Sequence, residues 1–388
     1  MKKVVLISHH YYKEKRKAGF QCLAHAFSKL NWEVIFVTSP IGLLSFITND
    51  YRMTYPIKKE MNKSVKISYK VSSYILLSLF TPENVNNYRP FKKLPFFGNF
   101  INKILTVPYF FFGKYIPKKL EKIISDADLI IFESTPAILY FNSIKKICQR
   151  AKFIYRVSDD LEFLNCHPYV IFYERKIAEK FDLISVPSDY IFKKFSNYSH
   201  TILHYHGIQK ELFEKEYKKP DTYKNFEINI IFIGNSYFDE KFIHIAANLF
   251  PTWGFHIIGP FEDNWKRDNV IVYGELPFSE TIPFLKFANI GLQTRIIKDG
   301  FSSLSDSLKV IQYTWLKLPI IAPFGLNSQR INIFYYHPDR EETIKEALLS
   351  AINFDRSLID NTGILSWREL VEELIKEVAL NNNRGECI

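Results

Sequence analysis

Short apolar, β-rich runs recur along this chain at intervals that leave room for a helix between them. In the first half they are Val4 to Ser8, Glu33 to Thr38, Leu129 to Glu133, Phe153 to Val157, Leu183 to Val186 and Thr201 to Tyr205. The series then starts afresh with Ile228 to Gly234, Phe255 to Gly259, Val270 to Tyr273, Ile290 to Gln293 and Pro319 to Ala322. Strands alternating with helical segments predict an α/β protein with parallel sheets, and two such series predict two doubly wound, Rossmann-like domains. Gly207 to Glu227 lies between them, dense in Lys and Glu, with a Pro-Asp pair and almost no apolar periodicity. It is expected to be a linker between residues 1–206 and residues 228–365. A last helix, from about Ser366, carries Leu370, Val371, Leu374, Ile375 and Val378 on one side; the segment 366–388 can pack back on the first domain. Doubly wound sheets bind ligands beyond the carboxyl ends of their strands. The chemistry is therefore expected in loops that follow strands, around a central cleft.

Composition narrows the classes. A chain of 388 residues with 47% hydrophobic and 24% charged residues has enough apolar mass for two cores. Lys and Arg total 51 against 41 Asp and Glu, a net +10 that suits an anionic partner. Nucleotide phosphates, a nucleic acid or an acidic membrane surface all fit; no RNA- or DNA-binding module accompanies the charge, so nucleic acid is not expected. Cys22, Cys148, Cys166 and Cys387 lie far apart, and the histidines show no paired ligand spacing. Neither a zinc site nor a disulfide framework is expected, and no metal or other cofactor. The start, Met1-Lys2-Lys3 before Val4 to Ile7, reads as a first strand, not a signal peptide, which places the protein in the cytoplasm.

One segment stands apart. Leu94 to Phe112 is nearly as apolar as a membrane span but is interrupted by Asn99, Asn102, Lys103 and Pro108. Its aromatic residues are framed by Lys92, Lys93, Lys103, Lys114, Lys118 and Lys119. The region Lys92–Lys119 suits a helix lying in the headgroup layer of an anionic membrane, which would make the protein peripheral; a buried helical hairpin with a basic rim is the alternative.

The loop after the first strand, Ser8-His9-His10-Tyr11-Tyr12, lacks the Gly-x-Gly-x-x-Gly spacing that lets a backbone approach a pyrophosphate, which disfavours a dinucleotide oxidoreductase. Gly234-Asn235-Ser236 has one glycine and two small polar residues, enough to admit a ligand edge. Ser302 to Tyr313 is richer. Ser and Asp precede an apolar-periodic run there, as at a helix start whose free N–H groups bind anions. Ser307 and Leu308 open that run, and Lys309 and Gln312, three apart, share a face, so a diphosphate fits. A capped surface helix with a solvated lysine fits equally. Tyr155 to Leu161 carries Asp159 and Asp160 where a buried strand ends, and either carboxylate could take a proton from an acceptor hydroxyl while the other caps the next helix. Glu133-Ser134 and His9 end other strands and are acceptor-side candidates together with Asp160. Asp126-Ala127-Asp128 has the form of a metal-binding Asp-x-Asp but precedes a strand, on the opposite edge, and is expected to be structural.

Taken together, Phe132-Glu133-Ser134, Tyr155 to Asp159, Asn269 to Glu275 and Ser307 to Tyr313 resemble the bacterial xanthan-type glucuronosyltransferase family, in order and approximate spacing over most of the chain to about Pro323. The resemblance implies an inverting enzyme of GT-B fold at the inner face of the inner membrane. It implies that Asp159 is the general base, with Asp160 where a glycine is usual. It also implies that Glu275 with the adjacent Leu276, Ser307, Lys309 and Gln312 bind the UDP of a UDP-sugar, with Gly234, Asn235 and Ser236 nearby. Arg295 replaces an expected aromatic residue and Leu308 an expected methionine, which alters the donor-sugar pocket. The implied acceptor is a polyprenyl-diphosphate-linked oligosaccharide, and glucuronate is the expected sugar. Two other readings fit the same residues: a UDP-sugar epimerase of the same architecture, and a non-catalytic peripheral membrane protein with a degenerate transferase fold.

Overall fold

The computed structural model describes residues 1–14, 17–46, 50–55, 57–234, 237–262, 267–297 and 301–384. The chain divides into two compact units. One comprises Met1–Pro187, Ile191–His204 and Trp367–Ile388; the other comprises Ser188–Tyr190 and Tyr205–Ser366.

The first unit holds β1 (Lys3–Ser8), β2 (Glu33–Gly42), β3 (Ser64–Lys66), β4 (Val71–Ser78), β5 (Leu129–Glu133), β6 (Lys152–Arg156), β7 (Leu183–Val186) and β8 (Thr201–Leu203). They form one sheet in the order β3-β4-β2-β1-β5-β6-β7-β8, parallel except for the β3–β4 pair. β1 lies between β2 and β5, with Val4, Val5 and Leu6 fully buried. A parallel strand covered by helices on both faces needs apolar residues on both, which is why such runs are continuous and not alternating. β4 went unpredicted because Ser72, Ser73 and Ser78 break its apolar run; Ser73 is nonetheless buried.

The second unit holds β9 (Asn229–Ile233), β10 (Gly254–Ile258), β11 (Val270–Val272), β12 (Ile290–Leu292), β13 (Ile320–Pro323) and β14 (Ile333–Tyr336). Their order, β11-β10-β9-β12-β13-β14, is the doubly wound order that reverses direction between β9 and β12. Ile230 and Phe232 of β9 pack into one core cluster and Ile231 into the other, so each face of the sheet has its own core.

The expected linker is not a free tether. Ile208 bridges to Ser366, and Ile208, Phe213 and Tyr223 are buried in a core of the second unit. Apolar residues this far apart among charges leave no period to read. The final helix, Trp367–Arg384, buries Leu370, Val371 and Leu374 and belongs to the first unit. It meets the Gly19–Lys29 helix so closely that a Cβ on Gly19 would lie 3.2 Å from the Trp367 ring.

The Lys92–Lys119 segment forms an 18-residue helix, Pro95–Phe112, which runs through Pro108. One edge is anchored. Asn102 donates to Asn84 at 2.7 Å and accepts the Val85 N–H at 3.0 Å, and the Tyr109 ring meets His167. Phe112 is buried against Phe80 and Tyr140. The other face is bare: Phe96, Phe97, Phe100, Ile104, Val107, Phe110 and Phe111 are exposed, Phe96 to 88%. The buried-hairpin alternative is therefore excluded. Among the described residues no helix is long and apolar enough to cross a membrane.

Candidate active site

In the second unit the site is built at the β9–β12 switch point. β9 ends at Ile233 and the chain turns at Gly234, whose φ of +151° disfavours side chains. A Cβ there would lie 3.2 Å from the Lys309 Nζ. Lys309 belongs to the helix Leu308–Trp315, with Ser307 as its N-cap residue. This helix sits close to β12 because Gly291 has no side chain; a Cβ would come within 2.6 Å of the Tyr313 ring. The Ser307 hydroxyl does not cap the helix and instead accepts a hydrogen bond from Gln293 Nε2 at 3.0 Å. The first-turn N–H groups thus have no Ser307 cap, and they favour an anion.

The Lys309 ammonium is buried, has no hydrogen-bond partner among the described residues and stands 4.0 Å from the Phe232 ring centroid. Burial, and then the nearby Arg295 guanidinium, hold its pKa well below the usual lysine value. The ring attracts the ammonium, but a buried ammonium beside a second cation and without a hydrogen-bond acceptor among the described residues is still unsatisfied. A phosphate there would supply the charge and acceptors that the ammonium lacks. Among the described residues Gln293 Oε1 and the Thr294 hydroxyl, just beyond β12, are also buried without hydrogen-bond partners. Sequence reasoning passed over both residues, since Gln and Thr after a strand carry no motif.

Arg295 follows them, its backbone bridged to Phe238. Gln312 and Leu308 are half-buried on the same helix as Lys309. Glu275 is exposed and Leu276 half-buried after β11, where Gly274 takes φ +71°. Asn235 and Ser236 lie outside the described residues. The segment before the helix is held by an ion pair the sequence did not suggest. Arg330 Nε donates to Asp306 at 2.7 Å and its guanidinium lies 4.5 Å from the Tyr205 ring centroid. Burial raises the pKa of Asp306 even so.

In the first unit the candidates gather at the β1–β5 switch point. Glu133, buried at the end of β5, accepts from the Ser8 hydroxyl at 2.5 Å and the His9 N–H at 3.1 Å through Oε2. That oxygen fixes the turn leaving β1. His9 is lowered to about 3 by burial, Arg52 and His10, and is neutral near neutral pH. Burial pulls His10 down as well, but Glu14, at 3.2 Å, together with the charges of Glu133 and Asp159, raises it overall.

The two carboxylates after β6 separate. Asp159 is exposed and its backbone N–H donates to the Ser134 hydroxyl at 2.9 Å. Asp160 is buried, caps the Glu162 N–H and holds the Lys194 ammonium at 2.8 and 2.9 Å. Asp160 as an acceptor-side residue is therefore corrected: its carboxylate is committed inside the fold. Asp126 and Asp128 bind Lys3 at the N-terminal end of β1, the structural place expected for them. Among the described residues no group of three or more His, Cys, Asp or Glu is placed to hold a metal ion.

Beneath the Asp159 loop, Glu174 is buried and hydrogen-bonded to the Tyr155 hydroxyl. Burial raises its pKa from 4.5 to about 7. Between those values the folded protein keeps a proton that the unfolded chain releases, so this group's stabilising contribution is lost as pH rises through about 7. Glu174→Gln should flatten that part of the profile of Tm against pH. An unchanged slope would show that Glu174 titrates normally.

Residues 6–187 match the family model described as glucuronosyltransferase GumK, N-terminal domain. Over 276 residues the chain is 26% identical to the UDP-glucuronate:glycolipid 2-beta-glucuronosyltransferase of Xanthomonas campestris pv. campestris, covering 70% of this chain and 68% of that protein. Solved structures share the fold at low identity. Sucrose-phosphate synthase from Thermosynechococcus elongatus superposes with TM-score 0.57 at 14% identity, covering 100% of this chain and 98% of the other. Anabaena HepE, in complex with UDP and glucose, gives 0.56 at 12%, covering 100% and 99%. An α,α-trehalose-phosphate synthase from Burkholderia xenovorans gives 0.61 at 10%, covering 97% and 100%. Two doubly wound sheets and solved neighbours across the whole chain show the GT-B fold, and within it residues 6–187 match the GumK N-terminal domain.

Proposed function

We propose that the protein is a glycosyltransferase that moves a sugar, glucuronate, from a UDP-sugar to a polyprenyl-diphosphate-linked oligosaccharide at the cytoplasmic face of a bacterial inner membrane. The observation that carries this is Lys309: a buried ammonium with no hydrogen-bond partner among the described residues, beside a glycine turn and a helix N-terminus, at a strand switch point. The diphosphate of UDP would take up the Lys309 charge and the N–H groups after Ser307. With the leaving group stabilised in this way, the reaction needs no metal. Glu275, on an exposed loop, can accept both ribose hydroxyls. Arg295 is the candidate partner for a uronate carboxylate. Asp159 would remove the proton of the acceptor hydroxyl as it attacks the anomeric carbon, which inverts the configuration there.

The resemblance to a glycolipid glucuronosyltransferase favours transfer over epimerisation or mere binding. The decisive assay supplies labelled UDP-glucuronate with a polyprenyl-linked acceptor. Label should enter the lipid phase; epimerised UDP-sugar with no acceptor present would support the epimerase instead, and no turnover at all would support a binding protein.

Membrane attachment in this proposal rests on the bare face of the Pro95–Phe112 helix. Replacing Phe96, Phe100 and Phe110 with Ser removes three exposed rings without touching the buried Phe112. The variant should lose most of its sedimentation with vesicles containing phosphatidylglycerol. Undiminished sedimentation would assign attachment to another surface.

A further inference from the structure

A pocket of about 890 Å³ opens in the first unit, between the C-terminal end of the Pro95–Phe112 helix and the helices Phe141–Ile147 and Pro168–Ile177. No role in donor binding or in the Asp159 chemistry falls on its walls. Four lysines, Lys114, Lys146, Lys176 and Lys180, line it against a single carboxylate, Glu121. Among the described residues none of the four lysines makes an ion pair, although surface lysines elsewhere in the unit, such as Lys152 and Lys194, do. The rest of the wall is mostly apolar and aromatic, with Asn142 and Ser143 its polar residues. Phe110 and Phe172 are exposed to 53% and 58%, and Lys114 lies 4.0 Å from the Phe110 ring centroid.

Charge and apolar surface are arranged in sequence here. Phe110 belongs both to the pocket and to the bare face of the helix, so a ligand with an anionic head and an apolar tail could occupy both. A soluble nucleotide or sugar phosphate would satisfy the lysines and leave the adjoining phenylalanines in water. A purely apolar ligand would leave uncompensated positive charge. The volume is within the range of small-molecule sites and exceeds what a phosphate alone needs.

We infer that this pocket takes the phosphate headgroup of one anionic bilayer phospholipid, whose acyl chain lies along the exposed face of the Pro95–Phe112 helix. Lysine stems reach along apolar surface while their ammonium groups meet the phosphate. The inference rests on the membrane attachment proposed above and adds a defined, saturable headgroup site to it.

The test uses the full chain and short-chain lipids below their micelle-forming concentration, so that no bilayer is present. Dihexanoyl phosphatidylglycerol at tenfold excess over its Kd should raise Tm by roughly 3 °C, and dihexanoyl phosphatidylcholine should not. The triple variant Lys146→Gln, Lys176→Gln, Lys180→Gln should lose that rise and keep the rise given by UDP, which reports an intact fold. An equal rise with phosphatidylcholine or with inorganic phosphate alone would overturn the headgroup assignment. A rise with a prenyl diphosphate and none with phosphatidylglycerol would also overturn it, since the occupant would then be the acceptor lipid. Wild-type protein that sediments with anionic vesicles but shows no rise would sink this site and leave membrane attachment standing. Failure to sediment would remove both.

Discussion

Asp159→Asn is expected to reduce sugar transfer by about 10³-fold while the rise in Tm given by UDP stays unchanged, the loss typical of removing a general base. The substitution keeps shape and backbone. The Asp159 N–H would still donate to the Ser134 hydroxyl, so the loop should hold its place and only the basic oxygen is lost. Asp160 is next in sequence but cannot take over. It is buried, and both its oxygens are bonded to Lys194. Measuring transfer and UDP binding on the same preparation separates the two roles. Turnover within tenfold of wild type would remove Asp159 from catalysis, and a lost UDP response would mean that the variant had disturbed more than a proton acceptor.

The second large effect concerns Lys309. Lys309→Met should weaken UDP binding by roughly 10²-fold, about the worth of a charge-assisted hydrogen bond to a phosphate. The same change should raise the Tm of the ligand-free protein. In the folded state the lysine's pKa is held well below its usual value by burial and by Arg295. The unfolded chain therefore binds the proton more readily, and stability is lost at neutral pH relative to alkaline pH. Methionine fills similar space with no charge to desolvate, so that pH dependence should shrink with it. A ligand-free Tm that falls, together with unaltered UDP affinity, would mean that Lys309 supports packing and does not serve a phosphate.

How much of this was legible in the sequence differs from element to element. The strands β1 and β5 announce themselves because both faces of a central parallel strand are covered and their apolar runs, Val4 to Ile7 and Leu129 to Phe132, are unbroken. β4 does not, because serines interrupt its apolar run. Ser307, Lys309 and Gln312 were visible as a helix start with a cation. Gln293, Thr294 and the Arg330–Asp306 pair were not, because a polar side chain becomes a site residue only when burial deprives it of water, and burial is decided by residues far away in the chain.

The amino-acid order by itself determined the two α/β halves, the strand-end loops as the place of chemistry, and the set of residues that resembles a transferase family. Those depend on local periodicity and on short spacings. The tertiary structure alone decided that Asp160 is committed inside the fold, since both its carboxylate oxygens are bonded to Lys194. It decided that the Pro95–Phe112 helix shows its aromatic face outward, because Asn84 and His167 hold the opposite edge. It also decided that Lys309 is buried with no hydrogen-bond partner among the described residues, a property set by Phe232 and Gly234 from one segment and Arg295 from another. Desolvation is a property of the assembled neighbourhood, which is why these outcomes could not be read along the chain.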